Sequence, residues 1–115
     1  MLATPDNRVQ LIGFLGNDIE VRELGEGKKL ARLSMATHEY RKDENGHGES
    51  ITTWHNLVAW GKTAEIMSRI FRKGQRLYVE GKLTYREYTT KDDVKRNSTE
   101  IVVSEFRKLE PADKD

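Results

Sequence analysis

Apolar and polar residues alternate through most of this chain, which is the period of a strand with one buried face. Arg8 to Leu15 sets Val9 and Leu11 against Arg8, Gln10 and Ile12, and Gly13 and Gly16 punctuate it as a bend or bulge. Ile19 to Leu24 alternates again, and Gly25-Glu26-Gly27-Lys28 is a turn. Lys29 to Tyr40 predicts a long strand with Ala31, Leu33 and Met35 inward and Arg32, Ser34 and His38 outward. Arg41 to Ser50, with Asn45-Gly46 and Gly48, predicts a polar loop at a hairpin tip. Ile51 to Trp60 is the next strand. The period then changes: Ile66, Met67, Ile70 and Phe71 fall at helical spacing within Lys62 to Phe71, and Gly74 ends the helix. Arg76 to Tyr88 returns to alternation, with Leu77, Val79, Leu83 and Tyr85 on one face and Glu80, Lys82, Thr84, Arg86 and Tyr88 on the other. Thr89 to Asn97 is a second polar loop, and Ser98 to Phe106 closes the sheet through Ile101 and Val103.

The predicted order is three strands, a helix and two strands, with the first strand broken in two. An all-β chain with one helix between its third and fourth strands has the order of the OB-fold, a five-stranded Greek-key barrel. Its ligand face lies on strands two and three, between the loops joining strands one and two and strands four and five. Residues 1–109 form this one domain, and 110–115 a short charged tail expected to be disordered.

Both tryptophans fall on predicted strand three. Trp54, Asn56, Val58 and Trp60 point one way, and His55, Leu57 and Ala59 the other. The second set can fill a core, with His55 either packed or in a subunit contact. The first set leaves two large rings on a face that also carries an Asn. Aromatic side chains beside cations form a stacking platform for unpaired bases; the other reading is ordinary barrel or interface packing. Arg8, Arg32, Arg41, Lys42, Lys62, Arg86, Lys91, Lys95 and Arg96 fall on or beside this face and its loops, where they suit phosphate contacts. Tyr88 ends strand four with Arg86 on the same face, and Tyr40 stands at the mouth of the first polar loop. Tyr78 and Tyr85 are left to packing or subunit contact. Arg69, Arg72 and Lys73 sit at the helix C-terminus, where cations are favoured in any case.

Composition narrows the field. The chain has 115 residues, enough for one modest core, with 36% hydrophobic and 34% charged residues. The net charge of +1 does not announce a nucleic-acid binder, so a basic footprint has to be local. With no cysteine, disulfides and thiolate chemistry are excluded. No signal-peptide pattern opens the chain, and no apolar run approaches the ~18 residues that span a bilayer. The expectation is a soluble intracellular protein. Gly61-Lys62-Thr63 imitates the end of a phosphate-binding loop, but that motif needs a glycine at position 56, which is Asn. The three histidines lack zinc spacing, Asp92-Asp93 stands isolated, and no nucleophile-and-base set is present, so neither enzyme activity, metal nor cofactor is expected.

The run Asn7-Arg8-Val9-Gln10-Leu11-Ile12-Gly13-Phe14-Leu15-Gly16-Asn17-Asp18 resembles the opening of bacterial and mitochondrial single-stranded DNA-binding proteins. The likeness continues through Thr53-Trp54-His55-Asn56, Trp60-Gly61-Lys62, Arg72-Lys73-Gly74, Tyr78-Val79-Glu80-Gly81-Lys82-Leu83, Tyr85-Arg86-Glu87-Tyr88 and Glu100-Ile101-Val102-Val103. It covers residues 5 to 109. The resemblance implies an OB-fold homotetramer that wraps single-stranded DNA without sequence preference in replication, recombination and repair, in the cytoplasm at the nucleoid. It places Trp54, Trp60 and Tyr88 at stacking positions, Lys62, Lys73 and Arg86 at or near DNA contacts, and His55 in subunit association. Tyr78 is carried as a second interface residue. The chain also departs from the family. A loop aromatic of the family aligns with Arg41, one residue after Tyr40, and either can be the stacking residue. Position 56, often basic, is Asn here. Bacterial members usually continue into a long linker and an acidic end that recruits replication and repair proteins. This chain stops at Asp113-Lys114-Asp115, as a shortened chain or a natural short form without that segment. A primosomal replication protein of the same fold, or an adaptor barrel with Trp54 and Trp60 in a protein interface, are the other readings.

Overall fold

The computed structural model describes residues 6–110. The elements are β1 (Val9–Leu15), β2 (Val21–Glu23), β3 (Lys29–Lys42), β4 (Gly48–Trp60), α1 (Gly61–Ile70), β5 (Arg76–Thr89) and β6 (Lys95–Lys108). The strands run in the order β1-β5-β6-β4-β3-β2, and β1 also pairs with β3. That additional pairing closes the sheet, with Gly13 and Phe14 still opposite Leu77 and Arg76 of β5 while Phe14 and Leu15 already face Ala36 and Met35 of β3. β1 and β2 are the two halves of the broken first strand, so the molecule is the five-stranded OB-fold barrel that the element order predicts.

The inward positions match the alternation. Leu15, Ala31, Leu33, Met35, Leu57, Ala59, Leu77, Val79, Ile101 and Val103 line the core, and α1 closes one end of the barrel with Ala64, Met67 and then Phe71. Phe71 meets Phe106 edge-on, with ring centroids 5.9 Å apart. The stripe that α1 buries is narrower than its spacing suggests. Ile66 and Ile70, expected inside, stand half exposed, because the helix lies across the barrel end and offers it only one row of side chains. Ile19 is buried although the β2 strand begins only at Val21.

The largest departure is in the loops. β3 and β4 remain paired out to Lys42 and Gly48, and β5 and β6 out to Thr89 and Lys95. The turns are therefore only 43–47 and 90–94, where the sequence suggests loops of 41–50 and 89–97. Asp43 Oδ1 accepts the backbone N–H groups of Asn45 (2.9 Å) and His47 (2.8 Å), and Thr90 Oγ1 exchanges hydrogen bonds with Val94 (3.3 Å each), so each turn is closed by its own side chain. The strands beyond the barrel form two arms with solvent on both faces. β4 and β6 run parallel, so both arms leave the same end of the barrel. Tyr85 lies on the arm, past the last core residue of the β5–β6 ladder, Ile101, and is 75% exposed rather than packed.

Between Glu80 and Gly81 the β5–β6 register shifts by one residue. Ser104 is the extra residue. The shift lets Phe106 face the core beside Val103 and Ile101 despite its opposite parity. The strands close up at the shift: a Cβ on Gly81 would run into the Val102 carbonyl oxygen. Gly81→Ala is therefore expected to cost about 1–3 kcal/mol of stability. A urea midpoint equal to that of the unsubstituted chain would contradict this close approach.

Candidate nucleic-acid interface

The β3–β4 register sets the outer face. Leu30, Arg32, Ser34, Ala36, His38 and Tyr40 stand directly opposite Trp60, Val58, Asn56, Trp54, Thr52 and Ser50. Directly opposed residues share a face, so Trp54, Trp60, Arg32 and Tyr40 lie on one surface. The face continues through Val102, opposite Val58, to the outward row of β6 and β5, with Glu100, Ser98 and Arg96 opposite Thr84, Arg86 and Tyr88. Trp54 is 60% exposed and Tyr40 71% exposed, with Trp60 and Tyr88 less so. Arg41 stands on the opposite face of the arm, opposite Glu49. Of the two neighbours, Tyr40 is the one that shares the tryptophan surface, and its ring lies across Gly48.

Trp54 is held by its surroundings. Asn17 Oδ1 accepts from the Ser34 N–H (2.8 Å) and hydroxyl (3.0 Å), and the Gly16 N–H donates to the Ser34 carbonyl at 2.8 Å. These bonds pin the end of β1 against β3 and bring the Gly16 backbone beneath the indole. A Cβ on Gly16 would lie 2.6 Å from the Trp54 ring.

β4 and β6 pair only at Leu57–Ile101 and Val58–Val102, and beyond that point the arms diverge. The gap is a cleft of about 430 Å³ flanked by Trp54 and Tyr88 and floored by Asn56, Ser98 and Thr99. It runs into a second cleft of about 240 Å³ that shares Asn56, Tyr88 and Ser98 and adds Arg32, Arg86 and Glu100. Arg32 also lines a third, of about 450 Å³, with Leu24, Leu30, Asn17 and Asp18. The second shares lining residues with each of the other two, and the three follow one another as a groove across the sheet.

Two arginines in this groove converge on one carboxylate. Arg32 Nη1 donates to Glu100 Oε2 at 2.7 Å, Arg86 Nη2 donates to the same oxygen at 3.5 Å, and the Ser98 hydroxyl donates to it at 3.3 Å. The Glu100 residue is only 6% exposed, whereas both arginine side chains are about half exposed. Burial pushes the Glu100 carboxyl up, but the Arg32 hydrogen bond and charge, the Arg86 charge and Ser98 outweigh it, and the group is held below its ordinary value. Arg86 also lies 5.2 Å from the Tyr88 ring centroid, a cation–π arrangement.

Of the other expected site residues, Arg8 belongs to a separate cluster. Arg8 pairs with Glu80 (Nε to Oε2, 3.1 Å) beside Tyr78, whose hydroxyl donates to Glu80 Oε1 at 2.7 Å. That cluster sits at the β1–β5 corner with Ile12 and Arg107. Lys73 is on the turn after α1, where its N–H donates to Asp18 Oδ1 at 2.9 Å. Lys62 is exposed on the first turn of α1, directly after Trp60. His55 lies on the face opposite Trp54, with Nε2 2.8 Å from the Thr37 hydroxyl, and burial lowers its pKa. Glu100 and Phe14 are the groups that sequence reasoning missed. Phe14 is partly exposed 5.8 Å from the His38 ring, and Ala36 lies buried in register between it and Trp54. An outward Glu on a strand looks like any solvated charge, and only the register shows that it meets two arginines. Among the described residues, no group of three His, Cys, Asp or Glu side chains could hold a metal ion, and no helix is long and apolar enough to cross a membrane.

Barrel and groove together define an OB-fold with exposed aromatic rings and paired arginines on its outer face. The model of the single-strand binding protein family matches residues 6–109. The single-stranded DNA-binding protein of Xanthomonas axonopodis pv. citri is 43% identical over 103 residues, covering 90% of this chain and 57% of that protein. That of Neisseria meningitidis serogroup B is 40% identical over 103 residues, covering 90% and 59%. The solved complex of a Plasmodium falciparum SSB with ssDNA superposes with a TM-score of 0.82 at 31% identity, covering 96% of this chain and 100% of that one. The Thermus aquaticus single-stranded DNA-binding protein, as a deletion mutant, superposes at 0.79 with 28% identity, covering 90% and 50%. The chain belongs to the single-strand binding protein family. It spans 57% and 59% of the length of the two curated relatives above.

The seat of Trp54 is open to test. In a Trp60→Phe background, Gly16→Val is expected to lift the remaining indole from the backbone, red-shifting its emission and raising its quenching by acrylamide. Unchanged emission from a folded protein would show that the ring does not rest on Gly16.

Proposed function

We propose that this domain binds single-stranded DNA without sequence preference, stacking bases on Trp54, Tyr88, Trp60 and Tyr40 and meeting phosphates with Arg32, Arg86 and Lys62. The observation that carries this reading is the exposure of these rings on one continuous surface, with arginines between them. Exposed rings suit flat ligands, and stacking tolerates every base because each has a π-face. Family membership and the likeness to a solved complex of an SSB with ssDNA support the same reading. The family's proteins bind DNA without catalysing a reaction, and this domain acts by occupancy: it covers bases and holds the strand open. Its place is in replication, recombination and repair, in the cytoplasm at the nucleoid.

The same proposal includes a homotetramer. Ile12 is half exposed on the outer face of β1, with Tyr78 in register opposite it, and a second copy would cover both. His55, whose pKa burial lowers, and Tyr78 are the residues assigned to subunit contact. Sedimentation equilibrium is expected to give four chains, and Ile12→Glu to lower that mass. A monomeric unsubstituted chain would overturn the assembly.

Titration with poly(dT) is expected to quench tryptophan emission to saturation, with a midpoint that shifts with salt. Trp54→Ala should weaken binding by about 1–3 kcal/mol on every sequence alike. Replacing Lys62 should lower the salt slope by about 0.7. An absence of quenching at low salt would move the tryptophans into a protein interface and overturn the DNA reading; a loss confined to one sequence would overturn its lack of preference.

A further inference from the structure

We propose that Glu100 is a built-in competitor for phosphate, holding Arg32 and Arg86 in place while weakening their grip on the strand. The proposal rests on the DNA-binding reading above. The carboxylate lies in the floor of the groove rather than at its rim, and one of its oxygens takes hydrogen bonds from both guanidiniums and from Ser98. Each arginine spends one nitrogen on Glu100 and keeps its other donors, with about half of each side chain exposed to the groove. The trio therefore carries a net charge of +1 where two cations stand.

Two consequences follow from electrostatics. The shared carboxylate orients both guanidiniums before DNA arrives, which reduces the ordering required on binding. It also repels each incoming phosphate, and phosphate oxygens must share or replace it on the guanidiniums. Binding then rests more on stacking and less on ion release than the number of arginines suggests. A strand held in this way exchanges more readily.

Glu100→Gln separates the two effects, because the amide oxygen still accepts from arginine while the charge is gone. Binding to a dT oligomer is read by tryptophan quenching across a salt series, with thermal melting to confirm the fold. The expected result is several-fold to about tenfold tighter binding at low salt and a log–log salt slope steeper by about 0.7, the value for one more neutralised phosphate on a single strand. A merely structural Glu100 would not steepen that slope. An E100Q protein with unchanged affinity and slope, beside an unsubstituted chain that binds, overturns this proposal alone. An unsubstituted chain that does not bind dT overturns it together with the DNA-binding reading.

A second measurement needs no substitution. The side-chain Nε–H resonances of Arg32 and Arg86, followed by nitrogen NMR as the dT oligomer is added, are expected to shift to saturation as phosphate joins the carboxylate. Resonances that stay in place at saturation would show that both arginines remain with Glu100 alone, and would overturn the proposal even where E100Q fails to fold.

Discussion

One register decides the layout of this domain. β3 and β4 pair residue for residue from Leu30–Trp60 to Lys42–Gly48. Because side chains alternate, this ladder assigns Leu33, Met35, Leu57 and Ala59 to the core and Arg32, Tyr40, Trp54 and Trp60 to the outside at once. A slip of one residue on either strand would bury the indoles' neighbours and expose the core. The packing inside and the face outside are therefore a single specification. The core pins the register, and the register carries the face.

Where that coupling holds, the sequence was legible. On the barrel, Leu57 and Ala59 had to be inside, so Trp54 and Trp60 had to be outside, and the element order pointed to the OB-fold. Legibility failed where the core ends. Tyr85 continues the apolar parity of Leu77 and Val79, but the strand has by then left the barrel and parity no longer means burial. The polar stretches around 41–50 and 89–97 looked like loops because strands without a core side need no apolar residues. Tyr40 and Arg41 could not be ranked by spacing alone, and the ladder separates them by face. Ile66 and Ile70 fit a helical stripe, but α1 buries only the row of Ala64 and Met67.

Electrostatics has the same local character. The net charge of +1 conceals a set of specific pairs: Arg8 with Glu80, Lys29 with Glu65, and Arg32 and Arg86 with Glu100. In each of the arginine pairs the carboxylate is the more buried partner and the cation the more exposed one. Desolvation of the acid is offset by the paired charge, and the guanidinium keeps free donors toward solvent. Counting charges therefore describes neither the stability nor the binding surface, because Glu80 and Glu100 sit beneath the arginines they pair with.

The arms give the modest hydrophobic content a different meaning. β3 pairs with β1 only through Met35 and Ala36, so from Thr37 to Lys42 its outer edge has no partner among the described strands. An open, flat, apolar edge invites another chain to zip onto it and begin a fibre. Here that edge carries His38, Glu39, Arg41 and Lys42, with Gly48 and Glu49 across the hairpin. Charge and glycine interrupt what would otherwise be a template for aggregation. The composition that makes this chain look poorly suited to a core is, in the arms, what lets long exposed ribbons remain separate in a crowded solution.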